Sequence, residues 1–504
     1  MFAGCTSLVN IPVSIGSSST DPTYNFNDYC FTSMFSGCQS INASDITIQG
    51  NFGTSACMGM FSGCTSLASV KTIKTTTSSA GEKCFREMFR DCTALTYSSN
   101  NTIIDLLSLT EIPNGICQMM FYGCTNLNDL PFIITSNYQK SIGTNDALKV
   151  YGKFCFSEMF YGCISMNRGS QTISGSGSIT YDRHIWGISF GDSCFMGMFA
   201  MPDKSDQAYK GDSVLWKHPF NIKSKKIDGG GNPTLGTNAC VEMFKNCKKL
   251  HTNIAIDMDT TAGTISKTYN GVQIDIAVPG NAGIIGQNAL YGMYAGCDEL
   301  VYQLPADAPA GAISEQIIRA YEAGEGAFKQ AFKGCKKLDR IPELLIKKYN
   351  VRACEQMFAN CYNLVSIGQS LSHAEIAGDY AFYEMFINCF DYRNANGTTI
   401  KQSVSLWGTV GTELRHCYLP GGYINYRAVT SEDLLDTEHR ETPKYSYTYS
   451  NNGAQVTANY FLGNTGYGGY WGYVMDDSEQ IRDAKAGTLT LGKWACARMF
   501  YNCK

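Results

Sequence analysis

Residues 236–250 read "GTNACVEMFKNCKKL", and nearly the same phrase stands at 81–95 as "GEKCFREMFRDCTAL". Within the first, Cys240, Met243, Phe244 and Cys247 fall at i, i+3, i+4 and i+7. That spacing is one stripe of a 3.6-residue helix, about two turns long and too short to be stable alone. The unit is therefore expected to pack on copies of itself. Marking the aromatic residue of each block finds them at Phe2, Phe35, Phe61, Phe89, Phe121, Phe160, Phe199, Phe244, Tyr294, Phe332, Phe358, Phe386 and Phe500. The shortest intervals are 26 and 28 residues, longer ones reach 50, and Phe386 to Phe500 is 114. A recurring unit with loops inserted into it marks a repeat architecture.

After several blocks comes a short apolar phrase ending in Pro, such as "LVNIP" (8–12), "LTEIP" (109–113) or "LDRIP" (338–342). Pro supplies no ladder donor and suits a strand end, so these phrases predict short strands. One short helix and one short strand per unit predicts an α/β repeat over residues 1–389, a curved leucine-rich-repeat-like solenoid. Ser/Thr/Gly-rich inserts such as "QTISGSGSITYD" (171–182) alternate around glycines and predict hairpins. Residues 390–490 form a separate Tyr/Gly-rich insert, expected to be β, and 491–504 start a further repeat. The chain begins and stops inside a unit, which implies a segment of a longer polypeptide.

"GDYAFYEMFINC" (378–389), "GEGAFKQAFKGCKKLDRIP" (324–342) and "CTSLVNIP" (5–12) resemble the repeats of the BspA-like leucine-rich family. Related bacterial surface-protein repeats carry the Met-Phe-x-x-Cys form. The resemblance implies the leucine-rich-repeat fold. It also implies an extracellular protein that adheres, without catalysis, to a protein or glycan ligand on a host or neighbouring cell.

Cysteine is abundant, at 22 residues. One slot holds Cys5, Cys38, Cys64, Cys92, Cys124, Cys163, Cys247, Cys297, Cys335, Cys361, Cys389 and Cys503, with Pro202 standing once in its place. An earlier Cys shifts between two adjacent positions, as in Cys57 and Cys84, where Ala, Phe and Leu also occur. A residue that trades with these behaves as a small hydrophobe, so the slot-forming Cys are read as a structural row of buried thiols. On a helix, residues seven apart lie about 10 Å apart along the axis, beyond the ~7 Å Cα limit for a bridge. Disulfides between units remain the alternative. No Cys-x-x-Cys pair occurs and the six His are scattered, so neither a metal nor another cofactor is expected.

A net charge of −4 with 17 % charged residues gives no electrostatic case for nucleic acid, and no apolar run is long enough to span a bilayer. No nucleophile–base pattern or phosphate-binding glycine motif appears, so no catalytic residue is assigned. "DMDT" (257–260) lacks the remaining ligands of a calcium loop. The 390–490 insert is the exception to this blandness. Tyr445, Tyr447 and Tyr449 alternate as on a strand, while Tyr467, Tyr470, Trp471 and Tyr473 sit among glycines in an apparent loop. Such rings suit protein or sugar recognition, and equally a local core that anchors the insert. Two functions are consistent with this sequence. One is a non-enzymatic binding or adhesion protein of the extracellular or cell surface. The other is a structural component of a filament or virion appendage such as a phage tail fibre, in which copies associate end to end.

Overall fold

In the computed structural model, residues 1–499 are described apart from 13, 17–23, 44–45, 98–103, 107, 131, 134–148, 167–183, 216–217, 226–229, 263, 270–271, 278–279, 302–316, 339–340, 365–373, 390–415, 420–421, 426–444, 452–453, 465–469, 477–489, 492 and 496. No α-helix occurs among the described residues, which overturns the α/β leucine-rich-repeat expectation. Each Met-Phe block is instead a ribbon of consecutive tight turns.

Residues 236–247 show how the ribbon is built. The amides of Ala239, Val241, Met243, Lys245 and Cys247 donate to carbonyls three residues back, at 3.0–3.3 Å. The amides between them, of Asn238, Cys240, Glu242, Phe244 and Asn246, leave the coil altogether. They reach the carbonyls of Gln287, Ala289, Tyr291, Met293 and Ala295 in the next coil at 2.7–2.9 Å. Asn238, Glu242 and Asn246 have φ of 56°, 52° and 61°. A left-handed residue at every fourth position, third in alternate turns as in type II geometry, cannot occur in an α-helix.

The buried stripe is nevertheless as the spacing demands: Cys240, Met243, Phe244 and Cys247 are all fully buried. Positions i, i+3, i+4 and i+7 satisfy a repeat of four as well as one of 3.6. The two residues after Asn238 and the two after Glu242 face inward. This accounts for the shifting first cysteine, because both of its slots are core: Ala56–Cys57, Cys84–Phe85, Ala239–Cys240 and Ala327–Phe328 are all 0 % exposed.

Between ribbons the chain forms short parallel strands, coil upon coil, in a six-stranded and an eleven-stranded sheet. The longest are Ile46–Phe52, His184–Phe190, Ile317–Ala323 and Glu343–Tyr349. Among the Leu-to-Pro phrases, Glu111–Ile112 lies within one, whereas Ser14–Gly16 and Glu343–Tyr349 begin after the Pro. The phrase is thus the corner before a strand, since Pro cannot donate to the ladder that follows. Thr264–Tyr269 and Val272–Ala277 form an antiparallel hairpin inserted into one coil. The insert 171–182 lies outside the described residues.

One hydrophobic cluster runs from Phe26 to Met499. Along it the block aromatics stack from Phe2 to Phe386, each ring 5.0–5.7 Å from the next and tilted by no more than 19°. Such offset stacking adds roughly 0.5–1.5 kcal/mol per pair beyond burial. Where each coil turns into its ribbon, Gly152, Gly191, Gly236, Gly286 and Gly324 form a column. A Cβ on Gly236 would lie 2.7 Å from the Gly191 carbonyl carbon, so backbone fills the space a side chain would need.

Candidate functional site

Inserted chain separates some coils, the longest insert being residues 390–490, and cysteines recur along the blocks. From Cys38 to Cys389, each described slot-forming thiol donates to the carbonyl of the block aromatic one coil earlier. Cys64 Sγ to Phe35 O is 3.1 Å, Cys92 to Phe61 is 3.1 Å and Cys389 to Phe358 is 2.9 Å. The same carbonyl also accepts its own coil's Cys amide, as Phe35 O does from Cys38 N at 3.1 Å. The second lone pair of a buried carbonyl is thereby satisfied by a small weak donor, which Ala or Val would not supply. Sequence reading treated these cysteines as hydrophobes and missed the donor role.

Burial pushes the Cys64 thiol up to about 12 and the Cys92 and Cys124 thiols well above their ordinary value, neighbouring thiols adding to the effect. A thiol that stays protonated is neither nucleophile nor ready ligand. The nineteen cysteines whose side chains are described are free thiols; Cys5 is exposed, and Cys503 lies outside the described residues.

The Tyr-rich insert contains a five-stranded antiparallel sheet in the order His416–Leu419, Gly422–Asn425, Tyr470–Asp476, Ala454–Asn464, Tyr445–Asn451. Tyr445, Tyr447 and Tyr449 fall on its edge strand. Tyr470, Trp471 and Tyr473 are in a strand as well, which corrects the loop reading; Tyr467 lies outside the described residues. Tyr445–Tyr449 pair with residues 460–456 of the central strand, and Tyr470–Tyr473 with residues 464–461. The two groups therefore occupy adjoining, non-overlapping stretches of one strand. Glycines placed among aromatics were the misleading signal: Gly463 pairs with Trp471 inside the ladder.

The coils close over this insert. Ile376–Ala377 pairs in parallel register with Thr490–Leu491. The amides of Tyr380, Phe382, Glu384 and Phe386 then donate to Lys493, Ala495, Ala497 and Met499 at 2.8–3.3 Å. The stack continues as though the intervening residues were absent.

Charged residues that sequence reading left unassigned meet on neighbouring strands of the eleven-stranded sheet. Asp257 pairs with Arg319, and the strand of Arg319 pairs with that of Glu343. The Arg319 Nε lies 3.8 Å from Asp257 Oδ1, both side chains largely covered. Burial raises the Asp257 and Glu343 carboxyls, while the Arg319 guanidinium opposes the rise in each. Asp259 accepts the amides of Asn281 and Ala282 at 2.9 and 3.1 Å and the Thr261 hydroxyl, which ties the hairpin insert to its coil. Arg319 and Asp259 are buried and Asp257 and Glu343 partly so, the arrangement of a structural ion cluster in which the Arg319 Nε itself makes no hydrogen bond. Only their convergence in space identifies them, because 257, 319 and 343 belong to different coils. Among the described residues no cluster of His, Cys, Asp or Glu is placed to hold a metal, and no helix is long and apolar enough to cross a membrane.

No protein-family model matches this chain, and no curated protein or solved structure does.

Proposed function

We propose that this chain is a non-enzymatic binding protein of a cell or virion surface: a rigid stack of coils that carries inserted recognition modules. Its partner in this reading is a protein or glycan on another cell. The observation that carries it is the continuity of the stack across residues 390–490. A five-stranded sheet is housed between two coils that still pair strand to strand and amide to carbonyl. An insert housed between coils that pair directly with each other is free to vary with its ligand, as loops on rigid scaffolds commonly do. The inert thiols and the engaged charged cluster are the features expected of a scaffold, and the Met-Phe-x-x-Cys resemblance points to surface proteins by analogy alone.

The test removes the insert and joins Cys389 to Thr490 through a short Gly-Ser link. Fluorescently labelled intact and trimmed chains are applied to a glycan array and to cultured epithelial cells. The intact chain should bind and the trimmed chain should not, with unchanged far-ultraviolet circular dichroism per coil. Tyr470→Ala with Trp471→Ala in the intact chain should weaken binding at least about tenfold, roughly 1.4 kcal/mol. Equal binding by intact and trimmed chains would end this reading.

A further inference from the structure

Tyr445–Asn451 is the last strand of the five-stranded sheet in the insert. Its seven residues, about 24 Å of chain, pair with 460–454 without a register shift. Among the described residues nothing pairs with its other side. Edge strands are usually blunted by charge, proline or a bulge, because a bare row of N–H and C=O groups templates further pairing. "YSYTYSN" (445–451) carries none of the three.

Which backbone groups lie bare follows from the hairpin. Only two residues separate the paired Asn451 and Ala454. A two-residue connection closes on a pair that exchanges both of its backbone bonds. Antiparallel pairs then alternate, so Tyr449, Tyr447 and Tyr445 also turn their N–H and C=O toward the neighbouring strand. Ser450, Thr448 and Ser446 turn theirs to the open edge.

We infer that this edge pairs with the same edge of a second copy of the chain, antiparallel about a two-fold axis through Thr448. A two-fold contact must be complementary to itself, and the strand reads nearly the same in both directions from Thr448. In that register Ser446 stands opposite Ser450 of the second copy, Thr448 opposite Thr448, and Ser450 opposite Ser446. These are the residues whose backbone groups lie bare, so each of the three pairs is the kind that exchanges two bonds. Between them Tyr447 stands opposite Tyr449, in the non-hydrogen-bonded pairs where cross-strand neighbours come closest. Centring on Tyr447 instead leaves Ser450 without a partner in the strand. A foreign peptide would meet the same backbone, but nothing would match its rows to Tyr and to Ser/Thr; the symmetry of the sequence singles out self-pairing. Such pairing joins two stacks through their inserts and doubles whatever surface the insert presents, so a ligand repeated on a cell is held with avidity. That consequence rests on the binding reading above; the pairing itself does not.

The experiment follows the full chain by sedimentation velocity over a wide concentration range, and a reversible monomer–dimer equilibrium is expected. Thr448→Lys and Thr448→Glu each set like charges directly opposite across the axis, which should weaken the dimer by about fivefold. Mixed in equal amounts, the two variants should associate with each other at least as well as the unaltered chain does. Restored association also shows that both variants are folded. A chain that stays monomeric throughout, or a dimer indifferent to both variants, would overturn the inference. So would a mixture that associates no better than either variant alone. No ligand enters these measurements, and a dimer that binds no cell would refute the binding proposal while leaving this one standing.

Discussion

Replacing Gly236 by Ala is the sharpest test of how the coils are stacked. The new Cβ would sit 2.7 Å from the Phe190 carbonyl oxygen and the Gly191 carbonyl carbon, and 2.8 Å from the Asp192 amide nitrogen. All three are backbone, so no side chain can swing aside. Restoring ordinary contact of about 3.4 Å parts the coils locally by roughly 0.7 Å. The Gly236 amide donates to that same Phe190 oxygen at 2.8 Å, so this bond lengthens with the separation. Overpacking of this kind costs about 1–3 kcal/mol and a weakened hydrogen bond up to about 1. The stiffer unfolded chain returns about 0.4–1 kcal/mol, leaving a net loss of about 2. Because repeat arrays depart from two-state unfolding, the readout should be local. Hydrogen exchange of the Asn238–Cys247 amides should quicken about thirtyfold. Gly231→Ala is the matched control, since nothing lies within 4 Å of its Cβ position. If both variants exchange alike, the glycine column does not limit coil approach and the packing argument is wrong.

Other consequences follow from the ribbon and the core. Met119 is a non-glycine residue held at φ 54°; Met119→Gly should stabilise the coil by up to about 1 kcal/mol, while Met120→Gly, in the core, should cost several. Thermal melts that rank the two the other way would refute the turn geometry. With a small disulfide reagent, exposed Cys5 and Cys30 should react in the native protein while Cys84 and Cys92 wait for denaturant. Raising the pH to 9 should not release them, since burial holds both thiols well above their ordinary value; modification of Cys92 as fast as Cys5 would contradict this. Burial also raises the Glu343 carboxyl, so its protonated form favours folding. That stability is present in full below the unfolded value and is lost as pH rises through the folded one. Glu343→Gln should therefore stabilise at pH 8 and make no difference at pH 3.5; a variant less stable at pH 8 would show that attraction to Arg319 outweighs burial.

Removing a single thiol separates its two roles. Cys92→Ala keeps a small apolar group in place but deletes the donor to Phe61 O, 3.1 Å away. A loss near 1 kcal/mol measures that donor together with the missing sulfur volume, and a neutral change in urea midpoint would return the row to plain packing.

The sequence by itself determined the repeat, its spacing and its core. The stripe formed by Cys240, Met243, Phe244 and Cys247 is buried because apolar side chains at that spacing must share one side of the chain, whatever the backbone does. It could not choose between a helix and a ribbon of turns, since four such positions fit both periods. A signal did exist. The residue before the slot-forming cysteine is Gly, Asn or Asp at positions 4, 37, 63, 91, 123, 162, 246, 296, 334, 360 and 388, and each has positive φ. These are the residues that tolerate left-handed backbone. Tertiary structure decided the rest, because alternate amides of the ribbon find their acceptors in another coil, 25 or more residues away. Without that neighbour the ribbon would leave half its amides unpaired, and a helix would win. The same dependence on distant partners sets the pairing of Ala377 with Leu491 across the insert, and the meeting of Asp257, Arg319 and Glu343. No local pattern encodes these contacts, which exist only once the coils are laid one on another.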